Sequence, residues 1–105
     1  YICEKTGAVV LLKGSGTLVA APGEQTYINT TGNPGMATGG SGDVLTGVIA
    51  AIAASGVPAA DSARAGAFIH GMAGDIAADR LGQWGTTSLD IQMALPAAFR
   101  EITGK

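Results

Sequence analysis

A chain of 105 residues, 47% hydrophobic but only 13% charged and 5% aromatic, can build the modest core of one domain or of a piece of one. A net charge of −2 and six scattered Lys and Arg residues leave no basic stripe, which argues against general nucleic-acid binding. The single cysteine, Cys3, excludes an internal disulfide, no Cys/His cluster has metal-ligand spacing, and the most apolar stretch, 44–54, is far shorter than the ~20 residues that span a bilayer. A protein of the reducing cytoplasm, with no membrane segment and no leader, is expected.

The chain opens at Tyr1 almost directly before its first strand, as a piece of a larger domain would. Residues 8–12 form a short apolar run bounded by glycine, which suits a strand buried on both faces. Lys13-Gly14-Ser15-Gly16 turns the chain, 17–21 is a second strand stopped by Pro22-Gly23, and 25–30 alternates weakly as a third. Together, residues of about 8–30 read as an antiparallel meander at a sheet edge. A glycine-rich loop over 32–43 leads into a helix over 42–55, apolar on nearly all sides and therefore expected inside the domain. Gly56-Val57-Pro58 ends it, and a second helix runs over 58–81 with Phe68, Met72 and Ile76 at i, i+4 spacing. Gly66, Gly71 and Gly74 cost that helix roughly 1 kcal/mol each relative to alanine, so close packing against another backbone is the better reason for them. Gly82 stops it. Thr87 or Ser88 can cap a third helix over 88–103, which Pro96 should divide or kink.

The segment Asn33-Pro34-Gly35-Met36-Ala37-Thr38-Gly39-Gly40-Ser41-Gly42-Asp43 concentrates glycine and one carboxylate where a helix begins. Gly39, Gly40 and Gly42 permit positive φ and close approach of a phosphate to peptide N–H groups. The helix start adds unpaired donors and the positive end of the macrodipole. The amides of Gly40, Ser41 and Gly42 thus read as an anion hole. Asp43 beside a phosphate would be repelled unless a cation screens it or it takes a proton from an attacking hydroxyl; plain helix capping is the simpler alternative. Neither a Walker A pattern nor a dinucleotide fingerprint fits. Elsewhere, His70 reads as a satisfied or half-exposed helix histidine, Asp75, Asp79 and Arg80 as same-helix pairs on a solvated face, and Trp84 as a loop anchor. Lys13 taken alone reads as an ordinary strand-end lysine.

Two blocks, Lys13-Gly14-Ser15-Gly16-Thr17 and Asn33-x-Gly35-Met36-Ala37-x-Gly39-Gly40-x-Gly42-Asp43-Val44-Leu45, resemble the ADP- or ATP-dependent NAD(P)H-hydrate dehydratases, a branch of the ribokinase-like superfamily. The resemblance implies an α/β, ribokinase-like three-layer sandwich, of which this chain is the C-terminal part, since the family domain is more than twice as long. It implies nucleotide contacts at Lys13, Gly14, Ser15, Gly16, Thr17 and Gly42, and makes Asp43 both the catalytic base and a substrate ligand facing the hydroxyl of the hydrated nicotinamide ring. It further implies ADP or ATP as co-substrate, Mg2+ on the donor phosphates without a dedicated metal cage, hydrated NADH or NADPH as substrate, and a homo-oligomer, usually a tetramer. A small-molecule kinase of the same superfamily and an inactive nucleotide-binding fragment remain as alternatives.

Overall fold

The computed structural model describes residues 9–12 and 17–104; Cys3 and the Lys13–Gly16 turn lie outside them. Three short strands, β1 (Val10–Leu12), β2 (Leu18–Ala20) and β3 (Tyr27–Ile28), form an antiparallel meander in the order β1-β2-β3. Leu11 faces Val19 across one ladder and Val19 faces Tyr27 across the other. Successive side chains of a strand point to opposite faces, so β2 buries Val19 completely while Leu18 and Ala20 stay half-buried. Leu11 is also only half-buried, short of the two-sided burial its apolar run suggests. β3 ends at Ile28, one backbone bond further on running from Asn29 N–H to Thr17 O at 2.8 Å, while side chains tie the following residues to the next layer: Asn29 Nδ2 donates to Ala67 O at 3.1 Å and the Thr31 hydroxyl to Phe68 O at 2.9 Å.

After a single turn of 3-10 helix at Pro34–Met36 come α1 (Ser41–Ala54), α2 (Ala59–Leu81) and α3 (Ser88–Thr103). The central helix is α2, which packs against α1, α3 and β2. One apolar cluster joins the three helices through Val48, Ile69, Ala73, Ala77, Ile91 and Ala98, and a second seats Val19 of the sheet on Ala63 and Ala67. Alanine dominates both clusters on α2, so the partners approach closely, and its glycines go further. A Cβ on Gly66 would run into Ile49, one on Gly71 into the Thr31 side chain and backbone, and one on Gly74 into Met36. The three in-helix glycines are therefore contact points for other elements, as the sequence indicates.

Three readings are corrected here. Helix α1 is not buried all round within this chain: Ser41, Leu45 and Val48 form its one buried face, spaced i, i+4, i+7, while Ala50, Ala51, Ala53 and Ala54 are exposed. An all-round apolar helix made of alanine lacks the bulk to specify more than one packed face. Pro96 does not divide α3, which runs unbroken through it; the acceptor it leaves without an amide is the carbonyl of Gln92, an exposed residue. Trp84 is fully exposed and anchors nothing in its turn; buried Thr86 does so by donating to Gly82 O at 2.8 Å.

The helix ends follow their sequence signals. Gly82 closes α2 at φ 78°. Thr87 caps α3 in a reciprocal capping box, its Oγ1 accepting from Asp90 N–H at 3.3 Å while Asp90 Oδ2 accepts from Thr87 N–H at 2.9 Å. On the surface, Arg64 bridges Asp61 at 2.6 Å and Glu24 at 3.0 Å, and hydrogen bonding to Asp61 first of all raises its guanidinium pKa above the usual value.

Glycine substitutions separate these roles. Gly71→Ala should destabilise the protein by about 1–3 kcal/mol or prevent folding, because the methyl must displace Thr31 backbone. Gly47→Ala, with nothing within 4 Å of the added methyl, should instead stabilise by about 0.4–1 kcal/mol. Thr87→Ala should cost about 1 kcal/mol through the lost cap. Urea unfolding of the three variants against the unsubstituted protein checks all of these.

Candidate active site

The glycine-rich segment enters α1 by a defined route. Asn33, with extended φ and ψ, accepts from Gly35 N–H at 3.0 Å and so caps the 3-10 turn, whose first residue is Pro34. Gly40 then serves as N-cap of α1 at φ 86°, the left-handed region, and a Cβ there would also stand 2.9 Å from Ser88 Oγ. Both constraints require glycine. Of the three glycines that permit positive φ, only Gly40 uses it; Gly42 lies in the first turn of α1.

Because a glycine N-cap has no side chain, no side-chain hydrogen bond caps the first turn of α1. The Ser41 amide is turned back onto Thr38 O at 3.2 Å and the Val44 amide onto Gly40 O at 3.1 Å. Between them stand the amides of Gly42 and Asp43, in the turn where a helix supplies no internal acceptor. Of the amides expected as an anion hole, that of Ser41 is thus taken up by Thr38 O, and the Gly42 and Asp43 amides follow it in the first turn. Asp43 itself is exposed and makes no capping bond, so its presence is not accounted for by helix capping.

A cavity of about 870 Å³ opens beside this turn. Its walls come from Thr17 after β1, Asn29 and Thr31 after β3, the 32–38 segment, Ser41 and Gly42 of α1, and His70 of α2. Polar groups on these walls are mutually fixed: Tyr27 donates to Asn29 Oδ1 at 3.1 Å, and Asn29 Nδ2 also reaches Thr31 Oγ1 at 3.1 Å. His70 is buried with Nε2 3.5 Å from Ser41 Oγ. Asp43 lines a different space, a more apolar groove of about 620 Å³ between α1 and α3 that includes Gly47, Gln92 and Phe99. Consecutive helix residues point about 100° apart, so Gly42 and Asp43 mark the boundary between the two spaces.

Among the residues singled out from sequence, Thr17, Ser41 and Gly42 meet at the larger cavity and Asp43 stands at its border. Gly40 acts one step back, as the cap. Lys13, Gly14, Ser15 and Gly16 fall outside the described residues. Sequence reasoning missed His70, Asn29 and Thr31 as wall residues and took Asp75 for part of a solvated face. Asp75 is instead half-buried and accepts from Gly32 N–H at 3.0 Å and from Asn33 Nδ2 at 2.8 Å. A signal for this existed in His70-Gly71-Met72-Ala73-Gly74-Asp75, where polar residues flank two glycines that α2 spends on close contacts. Among the described residues there is no group of three or more His, Cys, Asp or Glu side chains able to hold a metal ion, and no helix is long and apolar enough to cross a membrane.

Comparison with known proteins fits this geometry. The family model described as NAD(P)H-hydrate dehydratase matches residues 1–97. The chain is 51% identical over 101 residues to the bifunctional NAD(P)H-hydrate repair enzyme Nnr of Thermofilum pendens, covering 96% of this chain and 19% of that protein. It is 51% identical over 76 residues to the ADP-dependent (S)-NAD(P)H-hydrate dehydratase of Neisseria meningitidis, covering 72% and 26%. The chain therefore spans about a fifth to a quarter of the length of these curated relatives. The crystal structure of the ADP/ATP-dependent NAD(P)H-hydrate dehydratase from Bacillus subtilis, co-crystallised with ATP/Mg2+, superposes with a TM-score of 0.89 at 25% identity, over 95% of this chain and 36% of that one. Its fold is thus part of the ribokinase-like α/β architecture, and the chain belongs to the NAD(P)H-hydrate dehydratase family.

Proposed function

We propose that this chain carries the nucleotide and catalytic end of a site that repairs hydrated NADH or NADPH at the expense of ADP or ATP. The observation that carries the reading is the first turn of α1: two amides that no side chain caps, with an exposed carboxylate attached to the second. Amides pointing out of a helix N-terminus stabilise phosphoryl oxygens. Asp43 takes the proton of the ring hydroxyl, the hydroxyl oxygen bonds to the terminal phosphorus of the nucleotide, and the bond from that phosphorus to the departing nucleotide breaks. The phosphate ester then loses phosphate and a ring proton, the electron pair of the broken C–H bond forming the ring double bond of reduced nicotinamide. Thr17 and Gly42, together with Lys13, Gly14, Ser15 and Gly16, serve the nucleotide in this reading, and Gly40 and Ser41 hold the turn.

Mg2+ would be held chiefly by the phosphate oxygens of the nucleotide, as suits a cation that resists dehydration, with the carboxylate of Asp43 in the same turn. When bound, the ion neutralises phosphate charge and so softens the repulsion between Asp43 and the donor. The same reading places the protein in the cytoplasm as a homo-oligomer, in keeping with the exposed apolar side chains of Trp84, Leu89 and Met93.

The test is a fluorescence assay of the protein expressed from its full reading frame, with NADH hydrate, Mg2+ and either ADP or ATP. Growth of reduced-nicotinamide fluorescence is expected. Consumption of nucleotide with a stable phosphorylated product would instead make this a kinase of the same superfamily, and nucleotide binding with no turnover a binding module. Asp43→Asn should lower turnover by about 100-fold or more, the typical worth of a general base, with nucleotide affinity nearly unchanged; undiminished turnover removes the base assignment. Gly40→Ala forces a side chain into the left-handed region and against Ser88. It should cost about 1–3 kcal/mol of stability and weaken nucleotide binding measured by calorimetry.

A further inference from the structure

We infer that Asp75 is a positioning residue of this site, acting through Asn33 on the first turn of α1; its activity readout rests on the dehydratase reading above. Asp75 lines neither cavity. Both of its carboxylate oxygens are nevertheless committed to the segment that does: Oδ2 accepts from Gly32 N–H at 3.0 Å and Oδ1 from Asn33 Nδ2 at 2.8 Å. With its NH2 group held in this way, Asn33 turns its carbonyl oxygen to Gly35 N–H at 3.0 Å and caps the 3-10 turn. From that turn the backbone bonds onward, Ala37 N–H to Pro34 O at 3.1 Å, Thr38 N–H to Met36 O at 2.9 Å and Ser41 N–H to Thr38 O at 3.2 Å. A continuous series of hydrogen bonds thus runs from the rigid central helix to the turn that bears Gly42 and Asp43.

The polarity of each bond is fixed. Gly32 N–H and Gly35 N–H can only donate, and the Asn33 amide has one accepting and one donating end. Asn33 must therefore accept from Gly35 and donate to residue 75, which has to accept from two donors at once. A carboxylate does this. An amide at 75 would leave two donors facing each other somewhere in the series, and a carboxylate at 33 would face the Asp75 carboxylate. Exchanging the two residues restores every bond: an aspartate at 33 accepts from Gly35 and from the new amide at 75, whose oxygen accepts from Gly32. Net charge is unchanged by the exchange.

The experiment compares Asn33→Asp, Asp75→Asn and the double variant Asn33→Asp/Asp75→Asn in the full-length protein, at a temperature where circular dichroism shows all of them folded. Two readouts are taken: kcat and KM for NADH hydrate, and hydrogen exchange of the peptide amides over 38–44 without ligand. Each single variant should lose about 10- to 100-fold in kcat/KM, chiefly in kcat, the scale on which small misplacements act, and exchange faster over 38–44. The double variant should recover to within about threefold, since groups in one network couple. Singles that melt lower yet keep the kcat of the unsubstituted protein would reduce Asp75 to a structural tie and overturn the inference, as would a double variant no better than the worse single. Absence of turnover in the unsubstituted protein would overturn the dehydratase reading instead, and the exchange pattern alone would then decide for or against Asp75.

Discussion

The close seating of the 31–36 segment on the glycine face of α2 is the constraint on which the site depends. Thr31 lies over Gly71 and Met36 over Gly74, with no room for a methyl group between them. This contact does two things. It brings the polar end of the meander, Asn29 and Thr31, onto carbonyls of the Ala67–Phe68 turn, and it sets where the 3-10 turn at Pro34–Met36 can lie. Interiors packed to this density transmit displacement instead of absorbing it. Helix α2 gives up helical propensity at its glycines and in return holds the loop wall, so stability and site geometry share the same few residues.

The larger cavity is polar where backbone is fixed and apolar where helices meet. Its hydrogen-bonding wall residues take up one another's donors and acceptors, and no buried side-chain nitrogen or oxygen among the described residues lacks a partner. Such a wall is preorganised: bonds among Tyr27, Asn29 and Thr31 do not have to break for a ligand to enter. The unspent hydrogen-bonding capacity is concentrated in the backbone at the start of α1, where partial positive charge from the macrodipole adds to it.

Much of this was legible in the sequence wherever glycine and proline punctuate it. Gly56-Val57-Pro58 and Gly82 bound α2, Thr87 opens α3, and the run over 17–21 before Pro22-Gly23 marks the central strand. What stayed hidden depends on partners distant in sequence. That Gly40 lies close against Ser88, 48 residues away, is one such contact. Asp75 resembles any solvent-facing acid on a helix until Gly32 and Asn33 arrive. Alanine-rich α1 looks buried from its composition, yet composition does not say how many neighbours the fold provides. Trp84 shows the reverse error: a large side chain in a turn next to glycine suggests an anchor, while the smaller Thr86 does the anchoring with one hydroxyl.

Two aspartates at equivalent helix positions show how local chemistry divides structure from function. Asp90 and Asp43 both occupy the third position of a helix, and both gain from the positive end of the macrodipole. Asp90 is captured: Thr87 offers its own N–H and hydroxyl, and both donate to Asp90 Oδ2, at 2.9 and 2.8 Å. Asp43 has Gly40 at the corresponding cap, with no hydroxyl to give, and no side-chain capping bond forms. The residue three places earlier therefore determines whether the acid is a structural clasp or stays exposed without a capping bond. The difference is written in the sequence as Thr87-Ser88-Leu89-Asp90 against Gly40-Ser41-Gly42-Asp43, and the left-handed φ of Gly40 is what makes the second pattern possible. A threonine at position 40 would have to adopt that strained conformation and, if it did, would offer Asp43 the same hydroxyl that silences Asp90. Glycine at the cap thus keeps both the amides and the carboxylate of one turn available to a ligand.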